Sequence, residues 1–206
     1  MNSARRLLAL GFVVLAFAGG IVFMSLAFEG GREQPRHATV MPQPVALPAF
    51  SLVDDTGAPF SRDTLEGRFS LVFFGFTNCP DICPATLAQL AAARSRVLEQ
   101  RDGSFPDIIL ISVDPERDTP EAMAAYVAKF GAGITGVTGA PGEIRKLTAA
   151  LGVWFSHGNA DGGQHTVQHT AAVMVINKNA ELVALFGAPH DVNSFVSDIP
   201  LLTGST

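Results

Sequence analysis

The sequence is poor in cysteine and in charge. Of 206 residues only two are cysteine, and 16% are charged. Lys and Arg number 14 against 19 Asp and Glu, giving a net charge of −5 and a pI near 5.4. No basic surface is implied, so nucleic acid is excluded as a partner. The chain has no Ser-His-Asp set, no glycine loop of the phosphate-cradling kind and no internal repeat. No Arg or Lys lies between Phe69 and Leu90, around the two cysteines. A peroxidase of the peroxiredoxin type, which needs a basic partner beside its thiolate, is disfavoured on that ground.

Apolar residues, by contrast, reach 48%, with a mean hydropathy of +0.29. The excess sits at the N-terminus. Leu7–Phe28 is 22 residues without a charge, long enough at about 1.5 Å per residue to cross a hydrocarbon core of about 30 Å. Arg5 and Arg6 precede it and Glu29 follows. The reading is an uncleaved membrane anchor over residues 1–28, with the remainder exported by the positive-inside rule. Only six residues precede the run, which favours a bacterial inner membrane with the soluble part in the periplasm. Residues 29–48, with Pro35, Pro42, Pro44 and Pro48, read as a semi-extended tether.

Residues 49–206 read as one folded domain. "FSLVFFGF" and "DIILISV" are apolar runs of the kind found in strands buried on both faces. Each precedes a helical pattern. Asp118 or Thr119 caps the second of these helices, with Pro120 in its first turn. "ITGVT" and "GVWF" read as further strands, with a helix over Gly142–Leu151 between them. "AAVMVIN" and "AELVALF" form a hairpin through Asn177–Asn179, and Asp191 caps a last helix. Strands alternating with helices, then a closing hairpin and helix, indicate an α/β mixed sheet flanked by helices.

Both cysteines fall in "FTNCPDICPAT", where a central strand ends and a helix begins. Ligands of open α/β sheets collect at that edge. Pro84 fits the first helical position and puts Cys83 at or near the N-cap, where the helix dipole favours a thiolate. Three roles compete. A structural disulfide is weakest, because so short a loop removes little unfolded-state entropy. A redox dithiol and half of a metal site remain.

Four segments in order, "FTNCPDICPATL", "ISVDPERDTPEAM", "GVTGAPGEI" and "QHTAAVMVIN", resemble the successive motifs of the Sco/SenC family. The resemblance implies a thioredoxin-like fold and a copper chaperone that assists assembly of the copper-A centre of cytochrome c oxidase. It carries the family's metal ligands onto Cys79, Cys83 and His169. Gln168 stands where many members have an acidic residue. Two thiolates and an imidazole suit Cu(I) and can also hold Cu(II). The implied partners are the oxidase copper-A subunit, another periplasmic copper chaperone and the membrane. A thiol-disulfide reductase acting on the client's copper-site cysteines, or a redox sensor, is the alternative. The three-residue cysteine spacer, and Thr170-Ala171-Ala172 where thioredoxin-like reductases carry a proline, count against exchange catalysis. His157 and His165 lie in "FSHGNADGGQHTVQH" and read as part of a polar, glycine-rich loop. Asp114 reads as shaping a turn.

Overall fold

The computed structural model describes residues 11–13, 15–20, 24, 33–100, 104–159 and 165–204. The chain divides into two units, Met1–Gln34 and Pro35–Thr206. In the first, residues 11–13, 15–20 and 24 are helical, and Phe12, Leu15 and Phe17 are exposed. Much of the anchor expected over Leu7–Phe28 lies outside the described residues. Among those described, no helix is long and apolar enough to cross a membrane.

The second unit is built on strand β4, Ser70–Gly75, in which every residue is buried. It pairs in parallel with β5 (Asp107–Ser112), which pairs in parallel with β6 (Ile134–Thr138). On its other side β4 pairs antiparallel with β9 (Val173–Ile176), and β9 with β10 (Glu181–Phe186), so the hairpin read from the sequence forms. The parallel β4–β5–β6 steps need crossover helices. These are α2 (Ile82–Gln100) and α3 (Pro120–Val127), the latter extended by a 3-10 turn over Ala128–Phe130. Right-handed crossovers in one direction put both helices on one face. There α2 packs against the closing helix α5 (Val192–Thr203). Phe73, Phe74, Leu87, Leu90, Leu110 and Phe195 are among the fully buried side chains, each worth about 1.5–3 kcal/mol of burial.

Two short edge elements had no clear signature. β2 (Ser51–Asp54) and β3 (Pro59–Ser61) extend the sheet beyond β6, followed by the one-turn helix α1 (Arg62–Leu65). At the opposite edge the structure shortens the expected tether. Thr39–Ala46 forms strand β1, paired antiparallel with β10 with a register shift between Val40 and Val45. The segment before it is pinned to α5, because Asp198 accepts the amides of His37 and Ala38 at 2.6 and 2.9 Å.

Helix α4 spans Pro141–Ala150, close to expectation. The expected "GVWF" strand moves downstream. Phe155–Asn159 (β7) pairs antiparallel with His165–His169 (β8) in a separate two-stranded sheet. The two ends of the stretch read as a glycine-rich loop are therefore strands paired with each other.

Candidate metal centre

The cysteines sit where β4 leaves the sheet. Helix α2 starts at Ile82, earlier than Pro84 had suggested, so Cys83 lies inside its first turn. The first amides of a helix lack intrahelical acceptors. Cys83 donates its amide to the sulfur of Cys79 at 3.4 Å, so that sulfur takes the place of a capping acceptor. The loop before it is closed by the Cys79 amide on the Phe76 carbonyl at 3.3 Å. Both sulfurs are thiols, not a disulfide. Cys83 is fully enclosed, whereas Cys79 retains 9% exposure. A reagent arriving from solvent therefore meets Cys79 first.

The floor under Cys83 is Gly75. A Cβ at that position would lie 2.9 Å from the Cys83 sulfur, 3.1 Å from Leu110 Cδ1 and 3.2 Å from Phe73 Cε1. The absent methyl makes room for the thiol between two apolar side chains. Its hydrogen bond with Cys79, then burial, push the Cys83 thiol far above the usual range. This corrects the expectation that the helix N-terminus would favour a Cys83 thiolate. In the metal-free dithiol, enclosure and the neighbouring sulfur outweigh the dipole.

Asp118 also departs from its expected role. Thr119, not Asp118, caps α3, accepting the Ala122 amide at 3.3 Å. Asp118 is buried and reaches back to the strand ends. It accepts the Thr77 hydroxyl at 2.6 Å, the Thr77 amide at 3.2 Å and the Ser112 hydroxyl at 2.6 Å. One carboxylate thereby ties the chain entering the cysteine loop to the end of β5. Asp114 shapes the turn as read, its carbonyl accepting the Arg117 and Asp118 amides. Its carboxylate also holds the Arg117 guanidinium at 2.8 Å.

Sequence reasoning missed three contributors. Thr77 and Ser112 act only because the parallel register brings the ends of β4 and β5 side by side. Tyr126 on α3 is buried, and its hydroxyl has no hydrogen-bond partner among the described residues. Burial, then the nearness of Cys83, Cys79 and Asp118, push its phenol above the usual range. Nothing local in the sequence signals that proximity.

His169 ends β8, at the register position opposite Phe155, which packs against the core. Four residues later the chain enters β9, paired to β4 with Val173 opposite Phe73. The backbone therefore passes from His169 to the same sheet edge that β4 leaves toward Cys79. The hairpin base is fastened there by the Thr170 amide on the Trp154 carbonyl at 2.9 Å and the Trp154 amide on the Thr170 hydroxyl at 3.1 Å. His157 and His165 lie further out, on β7 and β8.

Three kinds of likeness surround this geometry. The SCO1/SenC family model matches residues 40–203. A Stutzerimonas stutzeri protein named for copper binding is 30% identical over 97% of this chain and 95% of its own length. The mitochondrial SCO1 homolog 1 of Arabidopsis thaliana is 34% identical over 73% of this chain, which spans only 45% of that protein. The crystal structure of Arabidopsis thaliana ScoI with copper bound superposes with a TM-score of 0.68 at 33% identity, covering 73% of this chain and 92% of that one.

Proposed function

This chain belongs to the SCO1/SenC family, and from that premise we propose that it is a membrane-tethered, periplasmic copper chaperone for the copper-A centre of cytochrome c oxidase. Cys79, Cys83 and His169 hold one copper ion. The observation that carries the reading is the placement of two thiols one helical turn apart at the end of β4, with the chain from His169 entering the neighbouring β9. The S. stutzeri relative named for copper binding supports it.

The chemistry follows from the donor set. Two thiolates and an imidazole form a soft, three-ligand set that suits Cu(I) and tolerates Cu(II). Binding releases the thiol protons, since the thiolate is the metal ligand. Cys83 supplies the enclosed anchor and Cys79 the more accessible of the two thiolates. Three ligands leave a position open, so an incoming thiolate or imidazole of the client can bind before the chaperone's ligands depart. The ion is cargo, passed by ligand exchange, and no electron need move.

Anaerobic titration of the reduced full-length protein tests the reading. One Cu(I) per chain is expected, held in preference to zinc, and Cu(II) should give a sulfur-to-copper charge-transfer band. Equal affinity for zinc and copper would overturn the assignment. The alternative, a dithiol reductase for the client's copper-site cysteines, draws on the same sulfur contact. Thiol exchange runs through a mixed disulfide and does not require the imidazole.

A further inference from the structure

Tyr126 stands beside the cysteine pair and has no task in the three-ligand site. It is 7% exposed, and its hydroxyl is enclosed without a hydrogen-bond partner among the described residues. A buried hydroxyl that bonds nothing destabilises the fold, and few are found in folded proteins. Packing holds the ring. Its centroid is 5.3 Å from that of Phe130, edge to face, and the Lys129 ammonium lies over it, 5.6 Å from the centroid. The hydroxyl is therefore kept in place although it makes no bond.

The fold brings this phenol toward the cysteines. Helix α3 starts at their edge of the sheet, since Asp118 just ahead of it accepts the Thr77 hydroxyl. Long helical side chains lean toward the N-terminus of their helix, which for Tyr126 is that edge. Met123, one turn earlier, packs over β6, where a Cβ on Gly136 would lie 2.8 Å from the Met123 Cβ. Gly136 pairs with Leu110 of β5, and Leu110 packs beside the Cys83 sulfur over Gly75. The helices of Tyr126 and Cys83 thus cover neighbouring parts of one sheet face. After burial, Cys83 is the strongest influence on the phenol, ahead of Cys79 and Asp118.

We propose that the Tyr126 hydroxyl is a waiting donor to the Cys83 sulfur, bonding it when copper takes the place of the thiol proton. Tyr126 is then a positioning residue that acts on the ion through Cys83, and the inference rests on the proposed copper role of that cysteine. A thiol sulfur is a weak acceptor. A thiolate is a charged one, and hydrogen bonds to charged groups are about twice as strong as neutral ones. The Cys83 proton leaves to solvent as the copper–sulfur bond forms. The phenol keeps its own proton, because burial and its neighbours hold it above the usual range. Hydrogen bonds to a ligating sulfur tune its donation to copper. A hydroxyl left unpaired in the metal-free dithiol is satisfied only in the loaded form, which favours loading.

The test compares Tyr126→Phe with the parent, both full length. Metal-free, the variant should match or exceed the parent in denaturant unfolding, since the hydroxyl removed bonds nothing. Its Cu(I) affinity should nonetheless fall at least fivefold. Its sulfur-to-Cu(II) charge-transfer band should move to lower energy, because an unbonded sulfur gives up charge more readily. Ser70→Ala removes another enclosed, unpartnered hydroxyl, at the far end of β4 from Gly75, and should change neither copper reading. Unchanged affinity and band in Tyr126→Phe would overturn the donor. So would a loss of metal-free stability that accompanies the loss of affinity, or an equal effect of Ser70→Ala. Mercury(II), which a pair of thiolates binds whatever ion the protein carries, separates this inference from the proposed function. A parent that takes mercury but not copper counts against the copper role. A mercury–thiolate band that is the same in Tyr126→Phe and parent counts against the donor.

Discussion

Asp118 takes the Thr77 hydroxyl at 2.6 Å across the gap between two strand ends. The bond joins the loop that carries Cys79 and leads into α2 to the turn that starts α3. Asp118→Ala leaves the Thr77 and Ser112 hydroxyls and the Thr77 amide without their acceptor. A loss of about 1–3 kcal/mol in stability is expected, measured by denaturant unfolding of the apo protein. Copper affinity should fall as well, because the loop loses its tie to β5. Unchanged affinity in a folded Asp118→Ala variant would show that the loop holds its shape unaided.

Gly75→Ala places a methyl 2.9 Å from the Cys83 sulfur. Overpacking of this kind costs about 1–3 kcal/mol. The side chain that must give way is the enclosed Cys83 thiol. Weaker Cu(I) binding and faster alkylation of Cys83 are the expected outcomes, read by competition titration and mass spectrometry. A protected Cys83 in the variant would contradict the packing argument.

Chaperone and reductase separate at His169. Cys79→Ser, Cys83→Ser and His169→Ala should each weaken copper binding strongly. Only the cysteine variants should abolish reduction of a client disulfide. In cells lacking the native protein, His169→Ala should fail to support oxidase activity at limiting copper. Full complementation by His169→Ala, with failure of either cysteine variant, would favour the reductase reading.

The pin between α5 and the segment ahead of β1 depends on pH. Burial opposes the charge on Asp198, but the Ala38 and His37 amides and the Ser197 hydroxyl hold its carboxyl below the usual range. A depressed folded-state pKa contributes stability that is present above the unfolded value of about 3.9 and is lost as pH falls through the folded value. Stability should therefore decline on acidification below about pH 4, and Asp198→Asn should flatten that part of the profile. Equal slopes for parent and variant in urea titrations would remove Asp198 from the account.

Membrane attachment is tested on the intact protein. It should fractionate with the inner membrane and resist carbonate extraction. Protease added to spheroplasts should release a soluble fragment containing Cys79 and Cys83. A mature soluble form beginning near Gly30 would make Leu7–Phe28 a signal peptide.

The central sheet was legible because its signals are local. Continuous apolar runs gave β4, β5 and β9, and side-chain oxygens at Thr119 and Asp191 marked two helix starts that the structure retains. What escaped is decided by partners far along the chain. Pro42 and Pro44 suggested a semi-extended tether, yet residues 39–46 pair with β10 as β1. "FSHGN" and "HTVQH" lack apolar alternation, and only their mutual pairing makes them strands. At the site, the cysteines and their junction could be read directly. The Asp118 clamp and the nearness of Tyr126 arise from strand register and helix packing, which no short window contains.

The edge strand β1 has one further consequence. Among the described residues its one sheet neighbour is β10, which leaves its other side at the edge of that sheet. Pro42 and Pro44 remove two backbone donors from that strand, and the register shift between Val40 and Val45 interrupts its ladder. Edges blunted in this way resist strand-to-strand polymerisation. Copies brought close together would gain little by adding sheet to sheet.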